Sequence, residues 1–151
     1  IDKIQTNYWF IIEEKTSEIQ AYKNKIQAQN IKIITDIHVK HSTILNPETL
    51  IESAKNAINS WSDWLIITWN WTWDLPKFED LENVRKEVWD FPIIIWSWVD
   101  KKNIKNILEI VDAMIVWTSL KTKKFWDHNI NVKAFKEEMD VKKVKKLMSL
   151  I

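Results

Sequence analysis

The chain has 151 residues, enough for one ordinary domain with its own core, and its 22 Lys and Arg nearly cancel its 21 Asp and Glu to leave a net charge of +1. That balance gives no charge footprint for nucleic-acid binding, and the lack of Cys excludes disulfides, thiolate metal sites and a thiol nucleophile, in keeping with a cytoplasmic location. No apolar run approaches the roughly 20 residues that span a bilayer, so integral membrane association is not expected. No signal peptide opens the chain, which begins at Ile1 in mid-pattern; a longer polypeptide is therefore expected.

In chain order, Thr16 to Ala28 reads as a helix, followed by a β-branched run from Ile31 to Ile37. Asn46-Pro47-Glu48 supplies an N-cap, a Pro at the first helical position and an early acid, opening a helix to about Ser60. Trp64 to Thr68 reads as a strand, Phe78 to Val88 as a helix, and Pro92 to Ile95 as a strand. Asp100 is placed to cap a helix that carries Ile104, Ile107, Leu108 and Val111 at helical spacing. Ala113 to Val116 is the fourth strand, and a last helix is predicted from about Val132 to Leu150. The apolar runs are continuous rather than alternating, which suits a parallel sheet covered on both faces. Helices and strands alternate with short connections, so the class is α/β. The runs recur at roughly 20 to 33 residues, the length of a βα unit. Four such units are half of an eight-stranded barrel, with a doubly wound open sheet as the alternative.

Eleven Trp and not one Gly make up the oddest feature of the composition. Average usage, about 7%, would place roughly ten or eleven Gly in a chain of this length. The Trp cluster where strands give way to turns: Trp69-Asn70-Trp71-Thr72-Trp73-Asp74, Trp96-Ser97-Trp98 and Trp117-Thr118-Ser119. Turns need positive φ and close backbone approach, which Gly supplies and Trp does not. The Trp are therefore read as standing at Gly positions, through a codon convention in which UGA means Gly. If the Trp are literal, the alternative is a Trp-rich carbohydrate-binding module whose aromatic platforms stack on sugars.

Two loops carry phosphate-site chemistry on the Gly reading. Trp96-Ser97-Trp98 becomes Gly-Ser-Gly, and Trp117-Thr118-Ser119-Leu120-Lys121 becomes Gly-Thr-Ser-Leu-Lys. A small-residue turn at a strand end, followed by a helix N-terminus, turns backbone N–H groups toward an anion. Two tight βα turns without a ligand are the plain alternative. The loop after Thr68, with Asn70 in it, is long and polar enough to contact a ligand or act as a lid. At the end of the first run lies Asp36-Ile37-His38-Val39-Lys40-His41. Asp36 and His38 would point the same way by the period of two and could act as acid and base, with Lys40 as anion ligand or nucleophile. They could equally satisfy loop backbone groups. A metal would need a third ligand that is not visible nearby, so none is expected, and the cofactor is unknown. His128 reads as an exposed loop residue. Lys133, Lys136, Lys142, Lys143, Lys145 and Lys146 read as the solvated face of a covering helix, with contact to an anionic membrane surface as the lesser alternative.

With Trp read as Gly, the chain resembles the BtpA/SgcQ family over essentially its whole length. The segments that carry the likeness are Trp9-Phe10-Ile11-Ile12-Glu13, Thr35-Asp36-Ile37-His38-Val39-Lys40-His41, Leu65-Ile66-Ile67-Thr68-Trp69, Pro92-Ile93-Ile94-Ile95-Trp96-Ser97-Trp98-Val99 and Ile115-Val116-Trp117-Thr118-Ser119-Leu120-Lys121. The Asp-x-His-Val-Lys-His segment is the most distinctive. The resemblance implies a TIM (β/α)8 barrel of the ribulose-phosphate-binding type, of which residues 1–151 would be the C-terminal half, strands five to eight. It implies a partner for that half, either the missing N-terminal half or a second copy. The expected task is binding a phosphorylated small molecule, a sugar phosphate or nucleotide-like compound, with catalysis left open. Asp36, His38 and Lys40 would face the reacting end. Thr68, Asn70, Trp96, Ser97, Trp98, Trp117, Thr118, Ser119 and Lys121 would line the phosphate end. The rival is a non-catalytic assembly or stability factor, as in photosystem I biogenesis.

Overall fold

The computed structural model describes residues 3–6, 8–13, 15–39, 42–46, 48–68, 78–96, 99–122 and 138–151, all but the side chain of 118. Among these residues, seven strands fall into two sheets. β3 (Ile34–Ile37), β5 (Trp64–Thr68), β6 (Ile93–Trp96) and β7 (Ala113–Ile115) form a parallel sheet in that spatial order. β1 (Ile4–Thr6), β2 (Ile11–Ile12) and β4 (Ser42–Ile44) form an antiparallel sheet in the order β2-β1-β4. The helices are α1 (Thr16–Lys25), α2 (Leu50–Asn59), α3 (Phe78–Val88), α4 (Ile104–Leu108) and α5 (Val141–Met148). The mixed α/β class and all four parallel runs stand as the sequence predicts, and the order along the sheet never reverses among the described strands.

Register explains where the core sits. Thr35 and Ile37 lie beside Leu65 and Ile67, which lie beside Ile93 and Ile95, and Ile95 lies beside Met114. These positions share one pleat face. All but Thr35 join the apolar cluster formed with Ala54 and Ala57 of α2, Leu81 and Val84 of α3, and Ile104 and Ile107 of α4. Each fully buried Ile or Leu there stabilises by about 1.5–3 kcal/mol. The opposite face carries Ile34, Trp64, Ile66, Ile94, Trp96, Ala113 and Ile115, with Asp36 and Thr68 at its C-terminal end. None of these nine belongs to the described core cluster. The continuous apolar runs led to the expectation of helices on both faces; in the described residues the core is built on one.

The strands start from a repeated clamp. The Asp63 amide donates to the Ile33 carbonyl (2.8 Å) while its carboxylate accepts from the Ile33 amide (2.8 Å). Asp112 does the same to Ile93, at 2.9 and 2.8 Å. Each carboxylate also holds a cation, Lys32 at 2.9 Å and Arg85 at 2.6 Å.

Three local expectations are corrected. Asn46 does not cap α2: its side-chain oxygen accepts from the Lys3 amide (2.7 Å), and the cap is Thr49, in a reciprocal box with Glu52. Pro47 lies outside the described residues. Asp100 caps the turn ahead of α4, accepting from the amides of Lys102 and Asn103, while the helix itself starts at Ile104. The last helix starts at Val141 behind an Asp140 cap, because Met139 is instead bridged to Lys121; residues 123–137 lie outside the described set. The small antiparallel sheet was not anticipated. Among the described residues, no helix is long and apolar enough to cross a membrane.

Candidate functional site

Parallel strands bring their C-terminal ends to one edge, so residues distant in sequence meet there without any special loop. On β3 and β5 that edge carries Asp36 and Thr68. Asp36 lies beside Ile66 in register, and Thr68 is two residues further on, so the pair is diagonal on the same face. The Thr68 hydroxyl donates to an Asp36 carboxylate oxygen at 2.6 Å, a charge-assisted bond that fixes the carboxylate's orientation. Thr68 is buried and Asp36 half-buried. Beside Thr68 in register lies Trp96 of β6, and beside Trp96 lies Ile115 of β7. The rim of the open face is therefore a carboxylate and hydroxyl at one side and two exposed apolar groups at the other.

His38 follows β3 directly and adopts φ 52. The strand's alternation ends at Ile37, so the period of two that would align His38 with Asp36 does not reach it. His is among the residues that tolerate this left-handed region best. The turn is held by the Ser42 hydroxyl donating to the Val39 carbonyl (2.6 Å), and the chain then enters β4. Lys40 and His41, between them, lie outside the described residues.

The two predicted phosphate loops meet. The Ser119 hydroxyl donates to the Val99 carbonyl at 2.6 Å, joining the segment after β7 to the segment after β6. That bond engages the hydroxyl proton, so Ser119 Oγ has none left to donate elsewhere. After β7 the chain makes a 3-10 turn, Thr118–Leu120. After β6 the helix starts only at Ile104. Ser97, Trp98 and Asn70 lie outside the described residues, as does His128. Lys121 is buried, with its ammonium 5.0 Å from the centre of the Trp117 ring, a cation–π geometry. Lys143 of α5 donates to the Lys121 carbonyl, and Asp140 and Thr122 amides tie the same segment to residues 138–140. Lys143 was read with the solvated lysines; its neighbour Val144, half-buried against the core, was the signal that it stands on the helix's inner edge. No group of three or more His, Asp or Glu suited to a metal occurs among the described residues.

Comparison with known proteins gives a consistent result. The model of the BtpA family matches residues 5–151. An uncharacterized mitochondrial protein of Caenorhabditis elegans is 30% identical over 112 residues, which are 73% of this chain and 40% of that one. The photosystem I biogenesis protein BtpA of Synechocystis is 28% identical over 74% of this chain and 39% of its own length. An uncharacterized protein of Methanocaldococcus jannaschii is 28% identical over 93% of this chain and 49% of its own. The chain thus spans two-fifths to one-half of the relatives it matches. No solved structure matches significantly. With the family model covering nearly every residue, the chain belongs to the BtpA family.

Proposed function

We propose that the four parallel units are half of a (β/α)8 barrel and that the C-terminal edge of its sheet binds a phosphorylated small molecule. The strand order supports the barrel, since a doubly wound sheet reverses its order at a switch point and this one runs straight through four strands. The observation that carries the site is the Thr68–Asp36 hydrogen bond at the C-terminal edge of the face that the helices leave open. A carboxylate fixed there can take a proton from a bound substrate, with His38 as the adjacent acid. The backbone of residues 117–119, against the Val99 segment, is the phosphate end, where Lys121 supplies positive charge, and Lys40 belongs with Asp36 and His38 at the reacting end.

A second reading has its own support: the Synechocystis relative is a photosystem I biogenesis protein, which points to a barrel retained for assembly without chemistry. The full-length polypeptide separates the two. Calorimetric titration with sugar phosphates and nucleotides, each paired with its unphosphorylated form, should show binding of the phosphorylated members alone. Equal binding, or none, sinks the phosphate site. Asp36→Ala and His38→Ala should then abolish turnover in an enzyme and leave an assembly role largely intact.

A further inference from the structure

Six of the eleven Trp lie among the described residues, three of them wrong for Trp by backbone conformation and five by exposure. The first is backbone conformation. Trp9, Trp61 and Trp89 adopt φ of 65, 71 and 54. A bulky side chain in this region is a genuine outlier, because its Cβ crowds the following carbonyl. These are also three positions at which chains use Gly. Trp61 closes α2: its amide donates to the Ile58 carbonyl (3.0 Å) and the next amide, of Ser62, to the Ala57 carbonyl (3.1 Å). That pair of bonds is the Schellman motif, and Trp61 stands at its left-handed residue. Trp89 follows the last residue of α3 in the same conformation. Trp9 lies between β1 and β2, its amide donating to the Thr6 carbonyl (2.9 Å) while the Thr6 amide donates to the Phe10 carbonyl (2.9 Å), at a hairpin turn where a left-handed residue is ordinarily Gly.

The second is burial. Trp is the largest apolar side chain and is highly buried on average. Here Trp9, Trp61, Trp89, Trp117 and Trp96 are 81, 71, 80, 53 and 41% exposed, and Trp64 is half-buried. The described core holds Ile, Leu, Val and Ala, and no Trp.

We infer that the chain made in its own cells carries Gly at positions 9, 61 and 89, and that the same substitution runs through all eleven Trp positions. A literal Trp would impose backbone strain three times while leaving its ring in water. Gly removes both costs at once. The inference has a functional consequence, which rests on the phosphate reading above. At Trp96 and Trp117 the indoles stand at the C-terminal rim, and Gly there opens the backbone to an anion and removes the ring from the Lys121 ammonium.

Intact-mass measurement of the polypeptide purified from its own cells, with its coding sequence in hand, is the direct test. The expected mass is that of the reading frame with Gly at every UGA codon, including the codons of all eleven Trp positions, and lower by one Trp-to-Gly difference for each than the same frame read with Trp. Trp found at 9, 61 or 89 overturns the inference, and so does a UGG codon at any of them. A second measurement uses recombinant chain. Trp61→Gly and Trp89→Gly should each raise the folded-to-unfolded ratio by roughly 5- to 30-fold. An unchanged or lower ratio overturns the inference. Both positions lie ahead of strands, at the opposite end of the sheet from the phosphate site, so this readout is independent of ligand. If the Gly chain is confirmed by mass and still binds no sugar phosphate, the phosphate reading fails and the Gly inference stands.

Discussion

Arg85 spends one guanidinium on four acceptors. Nε donates to the Ile110 carbonyl (2.5 Å), Nη1 to the carbonyls of Trp89 and Phe91 (2.7 and 3.0 Å), and Nη2 to the Asp112 carboxylate (2.6 Å). It therefore joins the end of α3, the entry to β6 and the segment after α4. No flexible ammonium can reproduce that fork. Arg85→Ala should cost about 2–4 kcal/mol in urea unfolding, because it strands three carbonyls and a carboxylate, and Arg85→Lys should recover only part of it. The carboxylates at this end predict a pH dependence. The hydrogen bond from Lys32, then that from the Ile33 amide, holds Asp63 below its ordinary value of 3.8. Burial pushes Asp112 up, but the Ile93 amide and Arg85 outweigh it and leave it below 3.8 as well. A depressed folded-state value means stability that is present above the unfolded value and lost as pH falls through the folded one. Urea midpoints should be flat from neutrality to about pH 4 and fall below it, and Asp63→Asn should flatten that fall. A midpoint that rises on acidification would contradict the clamp. At this scale Asp36 and Thr68 were legible as polar groups at or next to the C-terminal ends of apolar runs. Arg85 was not, since its partners lie up to 27 positions away and Arg on a helix ordinarily reads as solvated.

For whole elements, the β-branched runs identified the four parallel strands to within a few residues, because a strand buried on at least one face must be apolar wherever it starts and stops. Ends were less legible. Before α2 the sequence predicts Asn46-Pro47-Glu48 as the capping signal, but the structure caps the helix with Thr49 in a reciprocal box with Glu52. The Asn46 side-chain oxygen is instead taken by the Lys3 amide, 43 positions away. Thr49→Ala should therefore cost about 1 kcal/mol, since the Glu52 amide loses its acceptor and Glu52 loses its return bond. Asn46→Ala should leave α2 intact and act on the β1–β4 connection, a distinction that amide hydrogen exchange of residues 50–53 against residues 3–6 reads directly. The three strands β1, β2 and β4 were invisible for a related reason. They are two or three residues long, too short for a period to register, and β1 and β4 meet across a stretch containing α1 and β3.

Among the described residues, helices cover one face of the parallel sheet and not the other. Helices cover the face of Ile37, Leu65, Ile67, Ile93 and Ile95, while the rim of the opposite face leaves Ile34, Trp96 and Ile115 exposed. Ile66, Ile94 and Ala113 lie between them, so the face stays apolar even with Gly at positions 64 and 96. Its two outer strands, β3 and β7, each have a single neighbour among the described strands, leaving backbone groups ready to pair. Barrel closure would satisfy both demands together, as four further strands would join β3 to β7 and seal the inner face. The 151-residue chain on its own should consequently self-associate. Sedimentation velocity should give species heavier than one chain, and a dye that reports exposed apolar surface should bind it strongly. Co-expression with the remaining half of a full-length family member, in the Gly form, should convert it to a single complex with one copy of each half and abolish the dye signal. The critical control is Ile66→Lys, which places a charge on the open face without touching the helix-covered core. It should block assembly of the two halves and leave the helical circular dichroism of the isolated chain unchanged. A lone chain that sediments as a monomer, ignores the dye and tolerates Ile66→Lys would mean that its open face is already covered, and the half-barrel reading would fall.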